Sequence, residues 1–287
     1  MTDLSLPDNN APVTRPICRY HGGKWKLADW IISNLPEHKV YVEPFGGAAS
    51  VLLKKPRSYA EVYNDLDSEI VNLFKVARDN GEQLAQIVEL TPFSRVEFAG
   101  SYEPTTDPLE QARRTLVRSY MGFGSAAASK KATGFRANSN RSGTTPSHDW
   151  ANYPDALRLT IQRLRGVVIE NKDAQSIMAQ HDSKDTLFYV DPPYVAASRD
   201  AGGDYLHEMD DEQHKLLSVF LHGLQGMVVL SGYESNLYDS AFAGWKRIER
   251  DSFADGARPR VEVLWFNQAA SDALADQTKQ MTLMEAA

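Results

Sequence analysis

The segment Val40-Tyr41-Val42 runs directly into Glu43-Pro44-Phe45-Gly46-Gly47-Ala48-Ala49-Ser50, and no other stretch narrows the possible folds as much. The first three residues read as a short buried strand, the glycines as a tight turn, and Ser50 to Lys55 as a helix. Tyr59 to Tyr63 gives a second strand ending in Asn64-Asp65, and Leu66 to Arg78 is an amphipathic helix. Strand, glycine turn, helix, strand, acid, helix is the order of a doubly wound α/β sheet. Upstream, Lys24 to Leu35 spaces Leu27, Trp30, Ile31 and Leu35 as a helix does, and Pro36 closes it.

The alternation is then interrupted. Residues 82–165 read as mostly helical and loop-like, with a basic centre rich in small residues. Strand signals resume at Val167 to Ile169, Thr186 to Val190 and Met227 to Leu230. Two closing strands, Trp245 to Arg250 and Val261 to Phe266, have no helix-length segment between them, which predicts a β-hairpin. The first sixteen residues, with acids and three prolines, read as a flexible tail, and the polar stretch after Asn267 as loosely held.

Composition excludes several classes. With 42% hydrophobic residues in a chain of 287, wholesale disorder is ruled out. A formal net charge of −7 excludes a general coat for nucleic acid, so any polyanion site must be a local basic patch. The single cysteine, Cys18, rules out an internal disulfide and a cysteine zinc cluster, as suits a reducing compartment. The longest apolar runs are too short to span a bilayer, and the amino terminus has no apolar export core. The expectation is a cytoplasmic protein with no membrane attachment.

Asp191-Pro192-Pro193-Tyr194 carries the clearest chemistry. It follows the strand Leu187 to Val190 directly, and in open α/β sheets ligands sit at the carboxyl ends of strands. The aspartate is an acceptor, the prolines stiffen a backbone whose carbonyls face outward, and the tyrosine offers a flat ring. Together they suit a planar heterocycle with an exocyclic amino group. The turn after the first strand contributes Glu43, Phe45 and Gly47, where a backbone can approach a ligand closely. Asp65 stands about 20 residues on, where a carboxylate usually grips a ribose diol, so a nucleoside-containing cofactor is expected. Arg19-Tyr20-His21-Gly22-Gly23-Lys24 places a glycine turn and a lysine before a helix, an arrangement suited to a carboxylate. Asn171 and Asp173, after the third strand, either face that cofactor's base or form a structural turn. The histidines His181, His207, His214 and His222 lack metal-site spacing, and no metal is expected.

In this order the signals resemble the D12 class of N6-adenine-specific DNA methyltransferases, the Dam-like family. Arg19 to Lys24 is similar to its amino-terminal Lys-Trp-Ala-Gly-Gly-Lys motif, Glu43 to Ser50 to its Glu-Pro-Phe-x-Gly-x-Gly-Ser motif, and Asp65 to Asp67 to its Asp-x-Asn motif. Asp191 to Tyr194 matches the catalytic tetrapeptide, and the likeness extends over Val228 to Tyr233 and Val261 to Asn267. Tyr20 stands in place of tryptophan, Asp67 in place of asparagine, and Ala49 in place of the second glycine.

The resemblance implies a class I S-adenosylmethionine-dependent methyltransferase fold, a Rossmann-like doubly wound sheet ending in a β-hairpin, with an inserted, mostly helical target-recognition module. It implies cofactor contacts at Tyr20, Lys24, Asp65 and Asp191. The corresponding division is a tail over 1–18, a catalytic domain over 19–81 and 166–268, a recognition insert over 82–165 and a polar tail over 269–287. The expected reaction is methyl transfer from S-adenosylmethionine to N6 of an adenine flipped out of double-stranded DNA. Asp191 and the Pro192 carbonyl would accept the amino hydrogens and Tyr194 would stack on the ring. N4-cytosine methylation, an idle DNA-binding scaffold and an RNA substrate are the rival readings. No obligate protein partner is evident, and a monomer is expected.

The insert has a charge pattern of its own. Gln111 to His148 contains no acid, while Arg113, Arg114, Arg118, Lys130, Lys131, Arg136 and Arg141 contribute seven positive charges. Interspersed glycine, serine and asparagine give a loop able to follow a groove, and Arg118, Lys130, Lys131, Arg136 and Arg141 are the DNA-binding candidates. Replacing Lys130 and Lys131 together by alanine should weaken DNA binding and flatten its dependence on salt by about two units of log–log slope. A titration at several salt concentrations checks this, and an unchanged slope removes the pair from the interface.

Overall fold

The computed structural model describes residues 11–124, 132–138, 143–195, 207–254 and 258–285. Seven strands are found among them: β1 (Val40–Glu43), β2 (Ala60–Asn64), β3 (Val167–Glu170), β4 (Thr186–Val190), β5 (Met227–Tyr233), β6 (Lys246–Ala254) and β7 (Arg258–Phe266). They form one sheet in the order β3-β2-β1-β4-β5-β7-β6. The first five are parallel, whereas β7 runs antiparallel to both β5 and β6. The direct antiparallel pairing of β6 with β7 is the hairpin that the absence of an intervening helix predicts.

Helices cover both faces. In chain order they are α1 (Ala28–Ser33), α2 (Ser50–Lys54), α3 (Ser68–Asp79), α4 (Gly81–Leu90), α5 (Arg95–Gly100), α6 (Pro108–Met121), α7 (Pro146–Ala151) and α8 (Tyr153–Arg163). They continue with α9 (Ala174–His181), α10 (Asp211–His222), α11 (Asn236–Ala241) and α12 (Gln268–Glu285). None among the described residues is long and apolar enough to cross a membrane.

Side-chain alternation along the strands explains the two layers. Tyr41, Tyr63, Leu187, Tyr189, Val229 and Leu264 join one core with residues of α2, α3, α4, α6 and α8. Val42, Val62, Phe188, Val190, Leu230 and Val263 join the other with residues of α9, α10 and α11. All five residues of β4 are buried, as befits a central parallel strand. The helices between β2 and β3 are not a separate body. Leu84, Val88, Leu116, Trp150 and Tyr153 belong to the first core, and Arg163 on α8 donates to Glu61 Oε2 of β2 at 2.6 Å.

The closing strands run longer than the sequence suggests, and four other boundaries differ from expectation. Helix α1 starts at Ala28, because residues 24–27 close a separate turn in which the Leu27 N–H donates to the Lys24 carbonyl at 2.9 Å. Helix α3 starts at Ser68 because the Asp67 side chain accepts from the Glu69 and Ile70 N–H groups. The amino-terminal segment is docked before residue 16: Val13 is buried, Arg15 donates to the Asp149 carbonyl at 3.1 Å, and Tyr120 donates to the Pro16 carbonyl at 2.8 Å. Finally, the stretch after Asn267 is helix α12. Asn267 Oδ1 accepts from the Ala270 N–H at 3.0 Å, and Ala270, Ala273 and Leu274 pack on the core at helical spacing.

The turn after β1 is under the tightest steric control. A Cβ on Gly46 would lie 2.2 Å from Cε2 of Tyr63, a fully buried ring stacked on Phe74 at 4.2 Å. Gly46→Ala is therefore expected to destabilise the protein by about 1–3 kcal/mol. Urea unfolding should show this as a lower midpoint at unchanged slope.

Candidate active site

Because β1 lies between β2 and β4, the carboxyl ends of three parallel strands open on one side of the sheet. The chain leaving β1 turns sharply there. Gly47 and Ala49 take positive φ angles of 47° and 52°, and the Ala49 value is one a glycine adopts at no steric cost. The Gly46 N–H donates to the Asn64 carbonyl at 2.8 Å and Asn64 Nδ2 donates to the Pro44 carbonyl at 2.9 Å, which lashes the turn to the end of β2. The Gly47 N–H then donates to Asp65 Oδ2 and the Asp67 N–H to Asp65 Oδ1, both at 2.8 Å. Two backbone donors thus orient the Asp65 carboxyl. Burial still outweighs them and pushes its pKa up to about 6.

A cavity of about 340 Å³ lies over these strand ends. It brings together Tyr20, Lys24, Glu43, Phe45, Gly47, Asp65 and Asp191, all seven of the cofactor candidates, with Pro193. Tyr20 donates from its hydroxyl to Asp67 Oδ2 at 3.4 Å, and its ring would meet any side chain on Gly47 at 3.1 Å. Asp173 and Gln175 from the start of α9, with Leu216 and Leu217 from α10, close the opposite wall. Asp173 also caps α9 by accepting from the Ser176 N–H at 2.9 Å. Asn171 takes the structural alternative, donating to the Asp65 carbonyl at 2.7 Å.

Asp191 is the most constrained acid. Lys24 Nζ lies 2.9 Å from its Oδ2, and the two side chains are only 7% and 15% exposed. Its Oδ1 is buried with no hydrogen-bond partner among the described residues. Burial pushes the carboxyl up to about 6, the Lys24 charge works against that, and the charge of Glu262 adds to it. Glu43, accepting from the Leu52 N–H at 3.1 Å and the Tyr41 hydroxyl at 3.2 Å, is pushed further, to about 8, chiefly by burial.

Tyr194 differs from the expectation of a ring open beneath a base. It is 4% exposed, and neither it nor Pro192 lines the cavity. Its hydroxyl donates to Glu262, its ring meets Tyr233 edge-on at 4.4 Å, and Lys24 Nζ stands 4.6 Å from its centroid. Ser231 donates to that Glu262 carboxyl and Tyr233 supports the ring, while neither they nor Gly232 line the cavity. Glu262 and the α10 wall went unread in the sequence, although a lone acid inside Val261 to Phe266 is a visible irregularity.

The basic stretch needs a correction. Arg118 is 3% exposed, pairs with Glu69 at 2.6 Å and donates to the Ser101 carbonyl, so it is turned inward and not toward a phosphate backbone. Arg113 pairs with Glu97 and Glu110, and Arg114 with Glu110, each at 2.7 Å. These acids lie outside the acid-free stretch and neutralise its first three cations. Arg136 is half-buried and donates to the Tyr120 carbonyl at 3.0 Å. Lys130, Lys131 and Arg141 lie outside the described residues.

Comparison with known proteins agrees with this geometry. Residues 20–254 match the profile of a family described as D12 class N6 adenine-specific DNA methyltransferase. A DNA adenine methylase of Haemophilus influenzae is 23% identical over 272 residues, covering 87% of this chain and 91% of the relative. The DNA adenine methylase of Escherichia coli is 24% identical over 268 residues, covering 87% and 94%. A type II methyltransferase of Lactococcus lactis subsp. cremoris is 25% identical over 224 residues, covering 71% and 75%.

The Glu43 environment makes a prediction about stability. Its folded pKa is raised from 4.5 to about 8, so the folded state holds a proton the unfolded chain has lost. Stability from this group is present below about pH 4.5 and falls by about 1.4 kcal/mol per pH unit until the folded group ionises. Glu43→Gln should remove that decline. Its advantage over the parent, measured by denaturant unfolding, should grow from pH 5 to 8.

Proposed function

The chain belongs to the D12 class of N6 adenine-specific DNA methyltransferases, and from that premise we propose that the cavity at the ends of β1, β2 and β4 binds S-adenosylmethionine while Asp191 receives the target adenine. The reaction is adenine methylation in DNA with a methyl donor. The residues fit such a donor. The Gly46-Gly47 turn presents bare backbone, Asp65 holds an oriented carboxyl suited to a ribose diol, and Leu217 with Phe45 supplies apolar wall for a base. Tyr20, Glu43 and Lys24 complete the set on the β1 side. When bound, this donor supplies an electrophilic methyl group.

The observation that carries the reading is the buried, unpartnered Oδ1 of Asp191. A carboxylate oxygen held dry without a donor costs free energy unless a ligand supplies one. An exocyclic amino group offers two N–H donors, and Asp191 Oδ1 with the Pro192 carbonyl would accept them. Accepting both draws the nitrogen lone pair out of the ring plane's conjugation and frees it to attack. The residues act by placement and fixed charge, with no covalent intermediate on the protein. Reaching this depth requires the adenine to leave the duplex. Seating it on Tyr194 requires Lys24 to move off that ring.

In this reading residues 19–81 and 166–268 perform the chemistry, and 82–165 select the site in double-stranded DNA. The enzyme acts as a monomer in the cytoplasm. Arg136, Lys130, Lys131 and Arg141 make the phosphate or base contacts, and Arg118 ties α6 to α3.

Incubation with labelled S-adenosylmethionine and DNA lacking adenine methylation, followed by nucleoside mass spectrometry, tests the assignment. Label should appear in N6-methyladenine, and Asp191→Ala should reduce it at least about a hundredfold. Because a protonated Asp191 is a weaker, neutral acceptor with one oxygen turned donor, kcat/KM should rise with pH through about 6. Label in N4-methylcytosine, or an active Asp191→Ala protein, would overturn the assignment.

A further inference from the structure

Glu262 is the lone acid in the apolar run Val261 to Phe266, and it is 2% exposed. The register of β5 against β7 sets it opposite Tyr233, so it shares a sheet face with Ser231 and Leu264. Ser231 donates from its hydroxyl to Glu262 Oε1 at 2.8 Å, and the Tyr194 hydroxyl donates to the same oxygen. Tyr233 meets the Tyr194 ring edge-on. The hydroxyl of the ring that ends the Asp-Pro-Pro-Tyr segment is therefore held by the Glu262 carboxyl, itself fixed by the strand next to β4, and it also hydrogen-bonds the Asp191 carboxyl. An apolar side chain would suit this sheet position better on stability grounds, since burying a carboxyl carries a desolvation cost.

We propose that Glu262 is a positioning residue for methyl transfer: it holds the Tyr194 ring, through the hydroxyl, at the pitch required to seat the target adenine beside Asp191. The proposal rests on the assignment of Asp191 and Tyr194 to base binding. Glu262 acts on the site in a second way, because its negative charge raises the Asp191 carboxyl alongside burial while Lys24 lowers it. The other groups facing these two acids are Glu43 from β1, Tyr189 within β4 and Tyr238 from α11. Arg250 stands opposite Glu262 on β6.

The test uses the full-length protein, labelled S-adenosylmethionine and genomic DNA from cells lacking adenine methylation, over a range of pH. Glu262→Gln keeps the volume and one acceptor but removes the charge. Its kcat should fall about tenfold while KM for S-adenosylmethionine stays within about twofold. The acid limb of its kcat/KM profile should move to lower pH, since Asp191 loses a neighbouring negative charge. In a Tyr194→Phe background the same substitution should cost little further kcat, because the hydroxyl through which it acts is gone. A merely structural role would lower the melting temperature and add fully to Tyr194→Phe in kcat; that pattern, or an unaltered kcat, overturns the proposal. Ser231→Ala leaves the carboxyl in place and supplies a milder variant. It should lose kcat a few-fold, again only while the Tyr194 hydroxyl is present. A parent protein that labels no adenine would defeat the base-binding assignment and this proposal with it. A parent that labels adenine beside an unaffected Glu262→Gln protein defeats this proposal alone.

Discussion

The pairing of β1 with β4 is the constraint from which the site follows. With β2 on its other side, β1 has two parallel neighbours, and the crossovers that serve them leave in opposite directions. A crevice opens at that switch point, because the chain leaves β1 for α2 on one face and β4 for α10 on the other. Glu43 and Asp191 are far apart in the chain, yet they stand at the ends of adjacent strands. Everything the site needs to hold is thereby delivered by backbone geometry before any side chain is chosen.

The electrostatics are costly by comparison. Glu43, Asp65 and Asp191 are all raised by burial, and Lys24 is the cation placed against Asp191. A core built only for stability would not gather so many carboxyls at one end of a sheet. The two apolar layers on either face offset this burden. The tension places the Asp191 carboxyl near its ionisation point, where a small change in surroundings alters its charge. Lys24 contacts Asp191, the Gly22 carbonyl and the Tyr194 ring together, so its movement would change the charge balance and uncover the ring in one step.

Much of this was legible in the residues. The strands, the glycine turn, the position of Asp65 and the Asp-Pro-Pro-Tyr segment each carry a local signal, because period, turn chemistry and strand ends are properties of neighbours in sequence. The inward turn of Arg118 was not legible, since its partner Glu69 lies on another helix and a charge count cannot see pairing through space. Nor was Glu262: its meaning comes from Tyr194 and Ser231, which reach it only through the order of β4, β5 and β7. Helix α12 was missed for a different reason. Its apolar residues are mostly alanines, a weak hydrophobic signal, and its cap is an asparagine that also serves β5.

The helices between β2 and β3 share the core of the sheet, which bears on whether the segment could be exchanged as a unit. Arg163 on α8 is tied to Glu61 and to the Leu52 carbonyl, while Tyr120 and Tyr153 hold the carbonyls of Pro16 and Ile17. Moving the whole segment into a relative as a cassette would break each tie and expose apolar surface on both parts. Even between Gly122, at the end of α6, and Thr145, which caps α7, the described residues are anchored: Phe135 packs against Phe93 and Phe98 of the same core.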